Sequence, residues 1–240
     1  MNPATLHVVG LGPGDAQCLT PQARQVLHEA RCVAGYHLYM DLVPPELLEG
    51  KTRISTGMRQ EAERCAAAVD AALAGEPTAL VCSGDPGIYA LAGLALETLE
   101  ARGLVGVVPF AVVPGVPAVC AAAALLGAPL MHDFAVISLS DLMTPWELIQ
   151  KRLAAAASAD MAICLYNPSS KKRKDYLNKA CQIVMQYASP ATVCGIVRQI
   201  GRDGEFFEVM TLQQLAEYEA DMFTTVFIGN STTKVINGKM

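Results

Sequence analysis

Leu6-His7-Val8-Val9, running into Gly10-Leu11-Gly12-Pro13-Gly14-Asp15, is the stretch that decides the fold. An uncharged run rich in branched residues predicts a buried first strand, and the glycines and proline predict a tight turn at its carboxyl end. Thr20-Pro21 then supplies an N-cap with proline at the first helical position, opening a helix to about Arg31. Strand, glycine turn, helix is the opening unit of an α/β sheet.

Moving outward, the same alternation repeats. Strands are expected at Arg31-Cys32-Val33-Ala34, at Thr52-Arg53-Ile54-Ser55 and from Thr78 to Cys82, with an alanine-rich helix over 59–74. Ser83-Gly84-Asp85-Pro86-Gly87 turns into a helix from about Tyr89 to Arg102. Val105 to Val113 reads as a strand broken by Pro109, and Pro114-Gly115-Val116-Pro117 leads into a helix over 118–126. Strands alternating with helices predict a parallel sheet covered on both faces.

Turn signals from Gly127 to Asp133 open a second series. Phe134 to Ser138 is a strand, and Thr144-Pro145-Trp146-Glu147 has the pattern of a capping box with proline at its first helical position. Asp160 to Tyr166 reads as a strand, 172–187 as a helix and Thr192 to Val197 as a strand. Glu205 to Met210 and Thr224 to Ile228 are late strands suited to antiparallel pairing, with a short helix over 211–219. Two α/β lobes are expected, 1–128 and 129–240.

Composition narrows the class. Of 240 residues, 52% are hydrophobic and 17% charged, enough to bury a core and too apolar for a disordered chain. A net charge of −5 argues against a general nucleic-acid binder. A mean hydropathy of +0.31 raises the question of a membrane span. The longest uncharged stretch, Gly103 to Met131, answers it, because four prolines break it into strand–turn–helix lengths. Asp15 falls where a signal peptide needs its apolar segment, so the expectation is a cytoplasmic protein without membrane contact. The eight cysteines (18, 32, 65, 82, 120, 164, 181 and 194) show no CxxC spacing and read as buried thiols in a reducing compartment. With the histidines scattered, no metal site is expected.

The glycine turn is not a dinucleotide fingerprint. Its spacing is G-x-G-x-G, Pro13 removes a backbone N–H from the loop, and Gly35-Tyr36 stands where an acid for the ribose belongs. No Gly-Lys-Ser/Thr follows to make a Walker loop. These features count against a nucleotide-dependent oxidoreductase, the alternative from a different class; a non-catalytic binding protein is a further one. Comparable turns recur after the other strands, at Gly84-Asp85-Pro86-Gly87, Pro114-Gly115-Val116-Pro117 and Tyr166-Asn167-Pro168. Ligands of open α/β sheets bind beyond the carboxyl ends of strands, so these loops suggest a ligand held by main-chain contacts.

Three of the loops, in order, resemble those of the class III tetrapyrrole methylases that use S-adenosylmethionine (SAM): Val9-Gly10-Leu11-Gly12-Pro13-Gly14-Asp15 with Leu19-Thr20, Ser83-Gly84-Asp85-Pro86-Gly87-Ile88-Tyr89, and Val113-Pro114-Gly115-Val116. The resemblance spans nearly the whole chain. Within the family the chain is most similar to the C17-methylating members of cobalamin biosynthesis. That similarity rests on Val33 to Tyr36, Thr56-Gly57-Met58, Leu126 to Phe134, Ile137-Ser138-Leu139-Ser140-Asp141-Leu142 and Tyr166-Asn167-Pro168-Ser169.

The resemblance implies a homodimer of two-lobed α/β chains with a SAM cleft between the lobes. It implies methyl transfer to C17 of precorrin-3B with ring contraction to precorrin-4, leaving S-adenosylhomocysteine as product. The cobalt-containing counterpart, cobalt-factor III, and another ring carbon are alternatives; proline at 86 leans toward the oxygen-dependent, cobalt-free route. SAM contacts are implied for Pro13, Gly84, Asp85, Ile88, Pro117, Ala118, Tyr166, Asn167 and Thr225. Asp85 is expected near the ligand's ammonium or ribose, against its plainer reading as a turn residue before Pro86.

Two departures stand out. Proline occupies position 117 where the family more usually has threonine or serine, and the chain carries no cysteine-rich tail like that of some relatives. The substrate's carboxylates call for cations, and Arg53, Arg59 and Arg198 are candidates. Lys171-Lys172-Arg173-Lys174 at a helix start reads more readily as a solvated face. Ser140 and Asp141, on a loop after a strand, are candidates for assisting the proton movement of ring contraction.

Overall fold

The computed structural model describes residues 2–170 and 172–240, which form two compact units divided between Ala118 and Val119.

The first unit runs β1 (Leu6–Gly10), α1 (Pro21–Glu29), β2 (Cys32–Tyr36), α2 (His37–Met40), β3 (Thr52–Thr56), α3 (Glu61–Leu73), β4 (Thr78–Cys82), α4 (Ala92–Ala101) and β5 (Phe110–Val113). Its sheet has the order β3-β2-β4-β1-β5, and every pairing is parallel. Apolar runs on both sides of the sheet explain why its strands read as continuous rather than alternating. Val9, Val33, Ala79, Val81 and Val113 pack with Ala23 and Leu27 of α1 on one face. Leu6, Val8, Leu80 and Cys82 pack with Cys65, Ala68 and Val69 of α3 and Ala95 and Leu99 of α4 on the other. As expected, Thr20 caps α1, its hydroxyl accepting the Ala23 N–H at 3.1 Å. Two expected elements are shorter: residues 105–109 lie outside the strand, and α4 starts at Ala92.

This strand order places the glycine loops. α1 leaves β1 on one face and α4 leaves β4, its neighbour, on the other. The chain therefore departs in opposite directions from two adjacent strands, which is the switch point where open α/β sheets bind ligands.

The second unit runs α5 (Ala118–Leu126), β6 (Phe134–Ser138), α6 (Trp146–Ser158), β7 (Ala162–Tyr166), α7 (Tyr176–Val184), β8 (Val193–Arg198), β9 (Phe206–Thr211), α8 (Leu212–Ala216) and β10 (Thr224–Ile228). Its sheet is mixed, in keeping with the antiparallel pairing expected of the late strands. The order is β6-β7-β10-β8-β9; only β6 and β7 pair in parallel, and β10 runs antiparallel between β7 and β8. The two late strands pair antiparallel, each with β8 and not with one another. Helices α6, α7 and α8 cover one face through Ile149, Leu153, Leu177, Cys181 and Leu215.

Helix α5 explains why the division falls at 118/119 and not at 128/129. Its last turn is bound to the C-terminal residues: the Met240 N–H donates to the Leu126 carbonyl at 2.8 Å and the Ala128 N–H to Met240 at 2.9 Å. A Cβ on Gly195 of β8 would sit 2.7 Å from the Leu126 side chain, so a bare main chain is what lets α5 lie close to the sheet. Two helix starts also differ from expectation. Pro145 is extended (φ −56, ψ 141) with no side-chain cap, so Thr144 makes no capping box. α7 begins at Tyr176 rather than 172. Among the described residues no helix is long and apolar enough to cross a membrane.

Candidate active site

At the carboxyl edge of the first sheet three loops meet main chain to main chain. Gly12 and Gly84 bridge the loops after β1 and β4, with N–H to carbonyl distances of 3.2 Å and 2.7 Å. A Cβ on Gly115 would lie 2.2 Å from the Gly84 carbonyl oxygen, and one on Gly10 would lie 2.6 Å from both that oxygen and the Gly115 nitrogen. No side chain fits at either position, so these glycines are required by close approach. Asp85 ties the assembly together: Oδ1 accepts the Gly87 N–H at 2.8 Å and Oδ2 the Gly115 N–H at 3.2 Å. Each carboxylate oxygen has two acceptor positions, so Asp85 keeps capacity for a ligand while serving as a turn residue. Pro13, Gly84, Asp85, Ile88, Pro117 and Ala118 all lie on this edge, with Pro117 and Ala118 within 3.8 Å of a Cβ placed on Gly84.

The corresponding edge of the second unit is made of side chains. Tyr166, at the end of β7, pairs in register with Ser138 of β6, and its hydroxyl accepts the Val119 N–H at the start of α5 at 2.7 Å. Asn167 follows with φ +54, a left-handed conformation that asparagine tolerates better than most residues. Its Nδ2 donates to Ser138 Oγ at 2.9 Å, and the Ser140 N–H donates to the same oxygen at 3.2 Å. The buried Thr225 pairs with Val197 one step from the start of β10, and Val226 pairs with Leu165. Tyr166, Asn167 and Thr225 therefore share one end of the sheet.

Asp141 is engaged on both oxygens. Oδ2 accepts the Tyr176 hydroxyl at 2.8 Å, and Oδ1 lies 3.4 Å from Arg173 Nε. The bond to Asp141 raises the Tyr176 phenol above its ordinary value. Arg173 also donates to the Leu139 carbonyl at 2.9 Å, and its side chain is only 14% exposed. The solvated-face reading of the basic run thus fails for Arg173, while Lys172 and Lys174 are exposed and Lys171 lies outside the described residues.

Of the three arginines, Arg53 and Arg59 lie toward opposite ends of β3 in the first unit, and Arg198 belongs to the second. Arg59 (φ +67) is on the exposed turn after β3, at the carboxyl edge. Arg53 is level with Val33, near the opposite end of the sheet, and donates to the Leu48 carbonyl at 3.0 Å. Arg198, in register with Thr224, pairs with Asp221 at 2.7 Å, and its buried Nε has no partner. Burial pushes the Asp221 carboxyl up, but bonds from Thr224, Arg198 and the Phe223 N–H outweigh it and hold the group below its ordinary value.

Some organising residues escaped the sequence reading. Arg64 is buried, donates to Thr56 Oγ1 at 2.7 Å and the Gly57 carbonyl at 3.0 Å, and lies over the Tyr36 ring. A lone arginine in an alanine-rich helix was the available signal. Ser138 and Tyr176 offered none, because their partners are distant in sequence. Of the cysteines, Cys32, Cys65, Cys82, Cys164, Cys181 and Cys194 are buried, Cys18 is half-buried and Cys120 is exposed. Burial pushes the Cys65 thiol up to about 11 and Cys82 and Cys181 to about 12. These thiols are protonated at neutral pH and poor nucleophiles. Among the described residues no cluster of three metal-ligating side chains occurs.

A cavity of roughly 390 Å³ opens at the other end of the second sheet, beside Met161, Val193 and Ile228. Its polar groups satisfy one another, as where Asp160 accepts the Ser231 N–H and hydroxyl, and none of the expected contacts line it.

Comparison with known proteins gives this geometry a family. Residues 5–216 match the model of the Tetrapyrrole (Corrin/Porphyrin) Methylases. The chain is 45% identical over 98% of its length, and 96% of the relative's, to a probable cobalt-factor III C(17)-methyltransferase of Salmonella typhimurium. It is 39% identical to a precorrin-3B C(17)-methyltransferase of a Sinorhizobium species, over 97% of this chain and 91% of that one. Two further relatives are longer, and the chain spans 42% and 51% of their lengths. The crystal structure of the methyltransferase CobJ superposes with a TM-score of 0.91 at 34% identity, covering 98% of both chains. With its glycine loops at the switch point and this likeness along almost its whole length, the chain belongs to the tetrapyrrole (corrin/porphyrin) methylases.

Proposed function

We propose that the protein is a SAM-dependent methyltransferase of cobalamin biosynthesis that methylates C17 of a tetrapyrrole, precorrin-3B, with ring contraction to precorrin-4. The observation that carries this reading is the likeness to C17-methyltransferases over nearly the whole chain. The glycine-packed edge fits such a cofactor. Its loops close on one another through bare main chain, and Asp85 and Asn167 keep oxygens able to accept from an ammonium, amino or hydroxyl group.

SAM supplies, when bound, a methyl group on a sulfonium whose positive charge is lost in the transfer. The residues' work is orientation, which accounts for up to roughly 7–11 kcal/mol of barrier in favourable cases. Pro13, Gly84, Asp85, Ile88, Pro117 and Ala118 of the first unit, and Tyr166, Asn167 and Thr225 of the second, are the proposed contacts. At position 117 the proline ring offers no hydroxyl, so contact there is proposed to run through the main chain. Arg59, Arg198 and Arg53 are proposed to take substrate carboxylates, with Arg53 the furthest along the strand from the glycine loops. Ser140 and Asp141 are proposed to assist the proton movement of ring contraction. Normal turnover by Asp141→Asn with normal SAM binding rules that role out for Asp141.

The second reading takes cobalt-factor III as substrate, and a specific observation favours it: the Salmonella relative named for that substrate is more similar than the Sinorhizobium relative named for precorrin-3B. Mass spectrometry of products from SAM with each substrate offered separately decides between them. Product from precorrin-3B alone establishes the first reading, product from cobalt-factor III alone establishes the second, and product from neither removes the C17 assignment. The proposal includes a cytoplasmic homodimer, which light scattering of the purified protein tests for mass.

A further inference from the structure

We infer that Ser138 is a positioning residue that sets which end of the Asn167 amide meets the nucleoside part of the cofactor; this rests on the proposed SAM contact at Asn167. Ser138 ends β6, and its Oγ receives two N–H donors, the Ser140 main chain at 3.2 Å and Asn167 Nδ2 at 2.9 Å. A hydroxyl oxygen accepts through two lone pairs, so both are filled and the amide's NH2 is tethered. Asn167 Oδ1 is left as the open end. Backbone freedom cannot undo this arrangement. Asn167 is left-handed at φ +54 and is followed by Pro168, which restricts the residue before it. Non-glycine residues held at positive φ cluster at ligand sites, where the surrounding structure maintains them.

The consequence is a chemical preference. An amide held by its NH2 offers an acceptor and selects an N–H or O–H donor, so the adenine amino group and the ribose hydroxyls suit it and a carbonyl does not. Ser138 touches no reacting atom in this arrangement; it acts through Asn167.

The test is calorimetric binding of S-adenosylhomocysteine to the full chain, with thermal midpoints recorded in parallel. Ser138→Ala is expected to weaken binding about fivefold to tenfold, the size of one hydrogen-bond contribution. Ser138→Thr keeps the oxygen and restores affinity. Asn167→Gly deletes the amide while accepting the left-handed backbone, and weakens binding about tenfold. In the Asn167→Gly background, Ser138→Ala changes nothing further, since its effect runs through the missing amide.

S-inosylhomocysteine, with a carbonyl in place of the adenine amino group, identifies the donor. If its disadvantage disappears in Asn167→Gly, the amino group is the partner; if it persists unchanged, the ribose hydroxyls are. Additive effects of the two substitutions, or failure of threonine to restore affinity, overturn the inference while leaving the proposed function standing. Unchanged binding by Asn167→Gly removes the contact itself. No binding of S-adenosylhomocysteine by the unaltered protein removes the proposed function as well.

Discussion

The carboxyl edge of the first sheet and the matching edge of the second are built from different materials. The first is main chain against main chain, with Gly10, Gly12, Gly84 and Gly115 so close that a Cβ has no room at Gly10 or Gly115. The second is side chain against side chain: Ser138 to Asn167, Tyr166 to Val119, and Asp141 to Tyr176 and Arg173. A steric edge tolerates one residue type and fails abruptly. A hydrogen-bonded edge fails by degrees and can be restored by another residue carrying the same atom.

Gly115→Ala breaks the comparison most directly. Its new Cβ, 2.2 Å from the Gly84 carbonyl oxygen, forces main chain apart. Overpacking of this kind costs about 1–3 kcal/mol. The thermal midpoint is expected to fall by roughly 2–4 °C for each kcal/mol. Affinity for S-adenosylhomocysteine falls about tenfold to a hundredfold, and no second substitution at Asp85 recovers it. An unperturbed midpoint with unperturbed affinity refutes the steric account of this edge.

Arg198→Ala probes the other edge and is expected to do less. Its partner Asp221 and Arg198 itself are each more than a third exposed, so the pair stabilises the fold little. The expected result is a rise of about fivefold in KM for the tetrapyrrole with kcat and the thermal midpoint nearly unchanged, as for a lost charge-assisted contact. Arg53→Ala, three positions in register below Gly10, is expected to change KM by less than twofold. The reverse ranking moves the substrate to the other end of the first sheet.

Acid sharpens the contrast with the smallest effects. Burial holds His7 of β1 below its ordinary value of 6.5. The unfolded chain therefore takes up that proton first, and stability declines as pH falls below 6.5 toward the lower folded value. Asp221 in the second unit is also held below its ordinary 3.8, but it is an acid whose charged form is favoured. Its contribution is present above 3.8 and is lost only as pH falls through the lower folded value. His7→Gln is expected to flatten the decline below 6.5 in a pH series of denaturant melts, and Asp221→Asn to leave that part unchanged.

The difference in material also explains what could be read from the sequence. The first edge was legible because glycine and proline mark their own positions: the turn after β1, the Thr20 cap and the strands β2, β3 and β4 need only local chemistry. The second edge depends on partners far apart in the chain. Ser138 and Asn167 are 29 residues apart and Asp141 and Tyr176 are 35, and no local pattern announces such pairs. Local chemistry also misled where tertiary contacts overruled it. Thr144 has the sequence of a cap, yet Pro145 is extended and the helix starts without one. The basic run suggested a helix start, but Arg173 turns to Asp141 and Leu139, and α7 begins at Tyr176.

The place of β10 sets an order for assembly during synthesis. Every strand of the first sheet lies within the first 113 residues, so that sheet can close while the rest of the chain is still being made. The second sheet has its last strand, Thr224–Ile228, at its centre, between β7 and β8. Until that strand arrives, two facing edges remain unpaired, each with open N–H and carbonyl groups that invite pairing with another chain. The half of the protein made last is therefore the half most exposed to aggregation, and a chaperone's protection matters most in the interval before residue 224 emerges.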